Sequence, residues 1–238
     1  MSLRSKILGT YSRHSWRRAS YLYSLYERDK FLETQSNYLD IGAGTGQTSV
    51  VFGQGFNKII LLDLQITPES RALMDSYPNA NWIVGDAHNL PFKDNSFDLV
   101  TMFSVVEHLQ YADKAVCEAS RTIKPGGQLV IQAPNSWFVL DLHTGLPNPF
   151  LFCPGFLRPI IISKLGYPQW VDDVHKAPSK KRLSSWLNGM RLVNRQNVIY
   201  PDVLIPNPLR GIYKIIRKTR LLDLIPLGHL YTYTKLPQ

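Results

Sequence analysis

The chain is short of cysteine, and its two, Cys117 and Cys153, share no metal-ligand spacing. That argues against a disulfide-stapled framework and points to a reducing, cytoplasmic compartment. No Asn-X-Ser/Thr acceptor occurs, and no apolar run approaches the roughly 20 residues that a membrane span needs. Acid is missing from residues 1–26, where Arg4, Lys6, Arg13, Arg17 and Arg18 stand among serines. No apolar stretch follows these charges, so a secretory signal does not fit. Two readings of the segment stay open. One is an organellar transit peptide; the other is a helix carrying Trp16, Tyr21, Tyr23 and Tyr26 over a site.

The charge that is present is unevenly placed. The net +9 divides into seven basic against three acidic residues over 1–36, six against eleven over 37–154, and fourteen against four over 155–238. A basic flank suits an anionic partner, whether a phosphorylated ligand, nucleic acid or an acidic membrane surface. Solubility alone is the plainer explanation.

Within residues 37–135 short apolar runs alternate with helical stretches. The pattern predicts strands at Tyr38–Ile41, Lys58–Asp63, Asn81–Asp86, Phe97–Phe103 and Gln128–Gln132. Helices are expected over about 20–34, Thr45–Phe52, from Thr67-Pro68-Glu69 onward, and over about 112–122. Such alternation is the mark of a parallel sheet covered on both faces, whose ligands sit beyond the carboxyl ends of the strands. Asp40, Asp63 and Asp86 fall at the carboxyl ends of the first three strands. Later elements are a helix near 179–189, a strand Leu192–Tyr200, a basic helix near 208–222 and a last strand near Leu230–Lys235.

The first strand runs into Gly42-Ala43-Gly44-Thr45-Gly46, a turn that allows close backbone approach to a ligand. By itself it names only a nucleotide-like ligand. A P-loop needs Lys-Ser/Thr after the glycines, where Gln47-Thr48 stands, and a dinucleotide loop needs a third glycine where Gln47 stands. Asp63 could serve the ribose of more than one cofactor. With Asp40 before the glycines, Gly85-Asp86-Ala87-His88-Asn89-Leu90-Pro91-Phe92, Phe97-Asp98-Leu99-Val100, Phe103-Ser104-Val105-Val106-Glu107-His108-Leu109 and Lys124-Pro125-Gly126-Gly127 follow in order.

In these segments the chain resembles the class I S-adenosylmethionine-dependent methyltransferases, over about residues 37–135. The resemblance implies an α/β fold with a doubly wound, mostly parallel seven-stranded sheet and helices on both faces. It implies S-adenosylmethionine as cofactor, held by Asp40, Gly42, Ala43, Gly44, Gly46, Asp63, Leu64, Asp86, Ala87 and Ser104. In the family the acid at Asp63 meets the ribose hydroxyls, and that at Asp86 meets the adenine amino group. Asp40 would lie near the cofactor's amino group or organise the glycine loop. Asp98 reads as a structural acid, and Leu64 and Trp82 as packing. The chain then reads as a single domain: a helical cap (1–36), a cofactor core (37–135), an acceptor-side insert (136–178) and C-terminal helices and strands (179–238).

Methyl transfer from a sulfonium asks the protein for alignment, exclusion of water and, for some acceptors, a base. Candidate bases are His143, His108 and Glu107. The Glu-His pair is common in the resembling family, where a loop-ordering role is the plainer one. No third ligand accompanies the pair, so no metal site is expected. His143-Thr144-Gly145-Leu146-Pro147 is similar to a segment in methyltransferases of glycan and lipid-intermediate biosynthesis. Residues 208–222 set Leu209, Ile212, Ile216 and Leu222 against Arg210, Lys214, Arg217 and Lys218, an amphipathic basic pattern that suits peripheral contact with a membrane surface or a helix packed on the sheet. With aromatics at Trp137, Phe138, Phe150, Phe152, Phe156 and Trp170, this favours an apolar acceptor: a small molecule, glycan, lipid-linked intermediate or quinone. No RNA-binding module or Asn/Asp-Pro-Pro-Tyr motif is present, which disfavours nucleic acid. Methylation of oxygen is the leading expectation. Carbon or nitrogen methylation, a non-catalytic cofactor binder and an NAD-dependent enzyme are the alternatives.

Overall fold

The computed structural model describes residues 15–26, 37–135, 154, 156–164, 177–205 and 207–237. Helix α1 covers 15–25. There follow β1 (Asn37–Ile41), α2 (Gln47–Phe52), β2 (Lys58–Asp63), α3 (Pro68–Met74), β3 (Ala80–Val84), β4 (Phe97–Phe103), α4 (Ala112–Thr122) and β5 (Ile123–Pro134). After α5 (Arg158–Lys164) come α6 (Lys180–Trp186), β6 (Met190–Val198), α7 (Asn207–Lys218), α8 (Leu221–Leu224) and β7 (Gly228–Lys235).

The seven strands form one sheet in the order β3-β2-β1-β4-β5-β7-β6. Strands β1 to β5 pair in parallel, and β7 lies antiparallel between β5 and β6. The expected doubly wound, mostly parallel sheet is therefore present. Strand alternation divides the core in two. Tyr38, Ile59, Leu61, Leu99 and Val130 face one side with Leu22 of α1, Phe52 of α2, Tyr213 of α7 and Leu222 of α8. Leu39, Ile41, Ile60, Leu62, Val100 and Ile131 face the other, with Val116 of α4 and Leu183 of α6. Each strand end is thus fixed by packing on both faces.

Local chemistry explains the element starts. Thr67 caps α3, accepting from Ser70 N–H while the Ser70 hydroxyl accepts from Thr67 N–H, with Pro68 in the first turn. The Lys124-Pro125-Gly126-Gly127 turn lies within β5 instead of before it: Ile123 pairs with Phe97, and the ladder resumes at Gln128 opposite Leu99. The turn is an irregularity in the ladder, with Gly126 at φ 81°. Asp98 is a structural acid as expected, bonding Asn37 N–H and the Lys124 ammonium, each at 2.9 Å.

One expectation needs correction. The basic helix near 208–222 is two elements, because Arg220 takes a left-handed φ of 58° and ends the run. Its inward face is carried by Tyr213 and Ile216, while Ile212 is 57% exposed.

Candidate active site at the carboxyl edge of the sheet

The glycine turn leaves β1 at the carboxyl edge, and its backbone bonds back to the second strand. Gly42 and Ala43 N–H both donate to Leu62 C=O, at 2.8 and 3.2 Å. Two glycines are required for different reasons. Gly46 has φ 88°, and a Cβ there would lie 2.6 Å from Leu73 Cδ2 and 3.2 Å from Trp82 Cζ2. Gly44, at φ 58°, faces open space with no atom within 4 Å of a Cβ position. Its bare backbone is where a ligand can come close.

Asp63 ends β2 and reaches across to this turn. One carboxylate oxygen accepts from Gly44 N–H at 2.8 Å, and the other from Leu64 N–H at 2.7 Å. Each oxygen keeps a further lone pair for a ligand hydroxyl. Leu64 beside it is 73% exposed. Asp86 follows β3, and one of its oxygens accepts from His88 N–H at 2.9 Å and from Nδ1 at 2.6 Å. Those bonds hold its carboxyl below the usual range, and its side chain is 58% exposed. Ala87 is buried. An acid for hydroxyls, an exposed apolar side chain and a second acid for an amino group fit an adenosine-like ligand along this edge.

Asp40 does something else. Its side chain shares the sheet face of Tyr38, with only 2% of the residue exposed. It accepts from Ser49 of α2 and Thr101 of β4, both at 2.6 Å. Since the one proton of Thr101 goes to Asp40, Tyr38 donates to Thr101, at 2.8 Å. Burial dominates the balance and raises the carboxyl to about 7, against the two hydroxyls that lower it. Of the two roles weighed for Asp40, the structure supplies a side-chain version of the loop-ordering one: it fixes α2, not the loop's N–H groups.

The remaining candidates are spread out. Ser104 follows β4 with φ 54°, its N–H on Gln132 C=O and its hydroxyl on Gln132 Oε1 at 2.8 Å. Glu107 is fully buried in the turn after it, and His108 Nε2 stands 4.0 Å from Glu107 Oε1. His143 lies outside the described residues, as do Trp137, Phe138, Phe150, Phe152 and Trp170. Phe156 is exposed.

Sequence reasoning missed two side chains at this edge. Arg18 of α1 donates to Ser104 Oγ at 2.6 Å, Gln132 Oε1 at 2.9 Å and Tyr200 Oη at 3.1 Å. His229 is the second residue of β7, opposite Ala133, with Arg195 Nη2 3.1 Å from its Nε2. Burial first, then the Arg195 charge, depress His229 to about 4, so its ring is neutral at pH 7.

A family of methyltransferase domains matches residues 39–131. The fold around those residues is the Rossmann-like fold of the class I S-adenosylmethionine-dependent methyltransferases, to whose methyltransferase domain they are similar. A ubiquinone/menaquinone biosynthesis C-methyltransferase of a Ruegeria species is 35% identical over 108 residues, which cover 41% of this chain and 43% of the relative. A demethylmenaquinone methyltransferase of Paenarthrobacter aurescens is 31% identical, covering 63% of this chain and 59% of the relative. The chain thus spans less than two thirds of both relatives. Among solved structures, a phosphoethanolamine N-methyltransferase of Haemonchus contortus bound to S-adenosylmethionine superposes with a TM-score of 0.59 at 17% identity. It covers 92% of this chain and 52% of that one, a likeness of fold. S-adenosylmethionine is the cofactor of the family, and the edge described above fits it.

Two outcomes follow. Asp63→Ala should weaken S-adenosylmethionine by roughly 1–3 kcal/mol in calorimetry, the cost of leaving polar groups unpaired; unchanged affinity would take Asp63 out of the site. Asp40, raised in the folded state, favours folding below its unfolded value of 3.8, and that contribution is lost as pH rises through about 7. Asp40→Asn should therefore flatten the fall in unfolding free energy between pH 5 and 8, an effect on the order of 3 kcal/mol. Parallel pH profiles for both proteins would contradict it.

Proposed function

We propose that the chain transfers a methyl group from S-adenosylmethionine to a ring carbon of an apolar, quinol-like acceptor. The observation that carries the reading is the cofactor edge, Gly44 open beside the Asp63 carboxylate, in a chain whose similar relatives are named for quinone biosynthesis. Carbon replaces the oxygen that the sequence put first, because the Ruegeria relative is named as a C-methyltransferase.

Bound S-adenosylmethionine supplies a methyl group on a sulfonium leaving group. The chain's task is to hold the acceptor in line with the methyl–sulfur bond and keep water out, which can contribute roughly 7–11 kcal/mol at best. Asp63 and Asp86 anchor the nucleoside end, and Gly42–Gly46 the backbone side. A carbon acceptor forms one C–C bond and must then release its ring proton. His108, exposed after β4, His143 and the fully buried Glu107 are the proton acceptors proposed from the sequence. A positioned base is worth about 10²–10⁴-fold.

The test is incubation of the protein with methyl-labelled S-adenosylmethionine and demethylmenaquinol or 1,4-naphthalenediol. Label should appear on a ring carbon; label on oxygen only, or no transfer by a protein that binds the cofactor, would overturn the carbon reading.

An apolar acceptor also fits peripheral contact with an anionic bilayer. Five large apolar residues between 212 and 225 are exposed: Ile212, Ile215, Leu221, Leu224 and Ile225. Exposed Lys214, Arg217, Lys218 and Arg220 lie among them. Apolar side chains rimmed by basic ones match the headgroup region of an acidic leaflet. No described helix is long and apolar enough to cross a membrane. The protein should float with vesicles containing phosphatidylglycerol and not with pure phosphatidylcholine, and Ile215→Glu with Leu224→Glu should abolish flotation while cofactor binding survives. Equal flotation of the double variant, or a dimer that it dissociates, would contradict this.

A further inference from the structure

The two acids at the carboxyl edge are loaded differently. Asp63 accepts one hydrogen bond on each oxygen, from Gly44 N–H and from Leu64 N–H, so its two oxygens are presented alike. Asp86 takes both of its bonds on Oδ1, from His88 N–H at 2.9 Å and from His88 Nδ1 at 2.6 Å. Its Oδ2 has no partner among the described residues. A vicinal diol needs two acceptors side by side, and an amino group needs one. The edge thus offers a paired acceptor at the end of β2 and a single one after β3.

His88 is what makes Asp86 single-sided. Gly85 N–H donates to Asp63 C=O at 2.9 Å and fixes the segment after β3 to its neighbour, and Asn89 N–H then closes a turn on Asp86 C=O at 3.0 Å. That turn brings both the N–H and the ring of His88 onto the carboxylate two residues earlier. The Asp86 carboxyl is held below its usual range, and an ionised carboxylate only accepts, so Nδ1 is the donor. The ring has no second polar anchor, since Nε2 is buried without a hydrogen-bond partner. Tyr111, just before α4, lies edge-on to it with ring centres 6.1 Å apart. The imidazole is sheltered, with 19% of its side chain exposed, while the Asp86 side chain is 58% exposed. An exposed Asp side chain ordinarily exchanges rotamers. Two donors on one oxygen stop that exchange and decide which oxygen stays free.

We propose that His88 is a positioning residue that makes Asp86 select a 6-amino purine: it locks Oδ1, so that Oδ2 alone reads the purine edge from one fixed place. This rests on the nucleoside placement under the proposed function. Next in the chain, Ala87 N–H has no hydrogen-bond partner among the described residues. A locked acceptor and, one residue on, a free donor match the edge of adenine, its 6-amino group and its ring nitrogen. A 6-oxo purine presents the reverse, a carbonyl and a ring N–H, so acceptor meets acceptor and donor meets donor. A mobile carboxylate could relieve that mismatch by moving to the ring N–H. A locked one cannot, and rejection of the wrong purine depends on His88 as well as on the acid.

Calorimetry on the full chain with S-adenosylhomocysteine and its 6-oxo analogue, S-inosylhomocysteine, tests this. The wild type should prefer the amino form. His88→Ala should weaken S-adenosylhomocysteine about fivefold, the cost of ordering one released side chain on binding. S-inosylhomocysteine should not weaken with it, so the preference narrows by at least the same factor. His88→Asn, which puts an amide N–H where Nδ1 was, should restore most of the preference; His88→Gln, which reaches the position of Nε2, should not. An unchanged preference in His88→Ala, with the preference lost in Asp86→Ala, would overturn the inference while the nucleoside placement stands. A preference that survives in Asp86→Ala would overturn the placement and the inference together, as would a wild type without a preference. If His88→Ala does not fold, the Asn and Gln variants decide: equal preferences in those two would overturn the inference.

Discussion

The buried carboxylate of Asp40 holds three elements in one place. It sits on the penultimate residue of β1, takes a hydroxyl from α2 through Ser49 and one from β4 through Thr101, and draws Tyr38 into the chain. A charge in that position would be costly without those donors. With them, the angle between β1 and α2 is fixed, and the glycine turn that joins the two has little freedom. Everything at the carboxyl edge is built on this: the turn bonds to Leu62 C=O, Asp63 bonds back to the turn, and the second strand's end becomes part of the first strand's loop.

From that corner the sheet order does the rest. Placing β1 between β2 and β4 brings the ends of the first, second and fourth strands side by side, so Gly44, Asp63 and Ser104 share one edge. The antiparallel β7 then brings the beginning of a late strand to the same edge as the end of β5, pairing His229 with Ala133. Helix α1 crosses back over β5 and adds Arg18. The edge around Gly44 and Asp63 is thus made of local turns, and the surroundings of Arg18 and His229 of long-range returns.

This division explains what was legible in the sequence. Strand alternation, the Thr67-Pro68 cap and the glycine turn are local patterns, and each appears where it was expected. The role of Asp40 was half readable, since a period of two puts it on the face of Tyr38 and not toward the ligand. Arg18 was not readable: its partners are 86, 114 and 182 residues away, and nothing in a basic, serine-rich segment distinguishes it from Arg17. His229 depends on the insertion of β7 between β5 and β6, which no local period encodes. The apolar side of α7 misled for a related reason. Tertiary packing chose Tyr213 and Ile216 as its inward face and left Ile212 in solvent.

The central claim is that the carboxyl edge between Gly44, Asp63 and Asp86 holds the nucleoside of S-adenosylmethionine. A crystal structure of the chain with S-adenosylhomocysteine tests it most directly. The ribose hydroxyls should lie within hydrogen-bond distance of Asp63, the adenine amino group beside Asp86, and the backbone of Gly44 against the ligand. A nucleoside seated elsewhere, or one that touches neither carboxylate, would contradict the account.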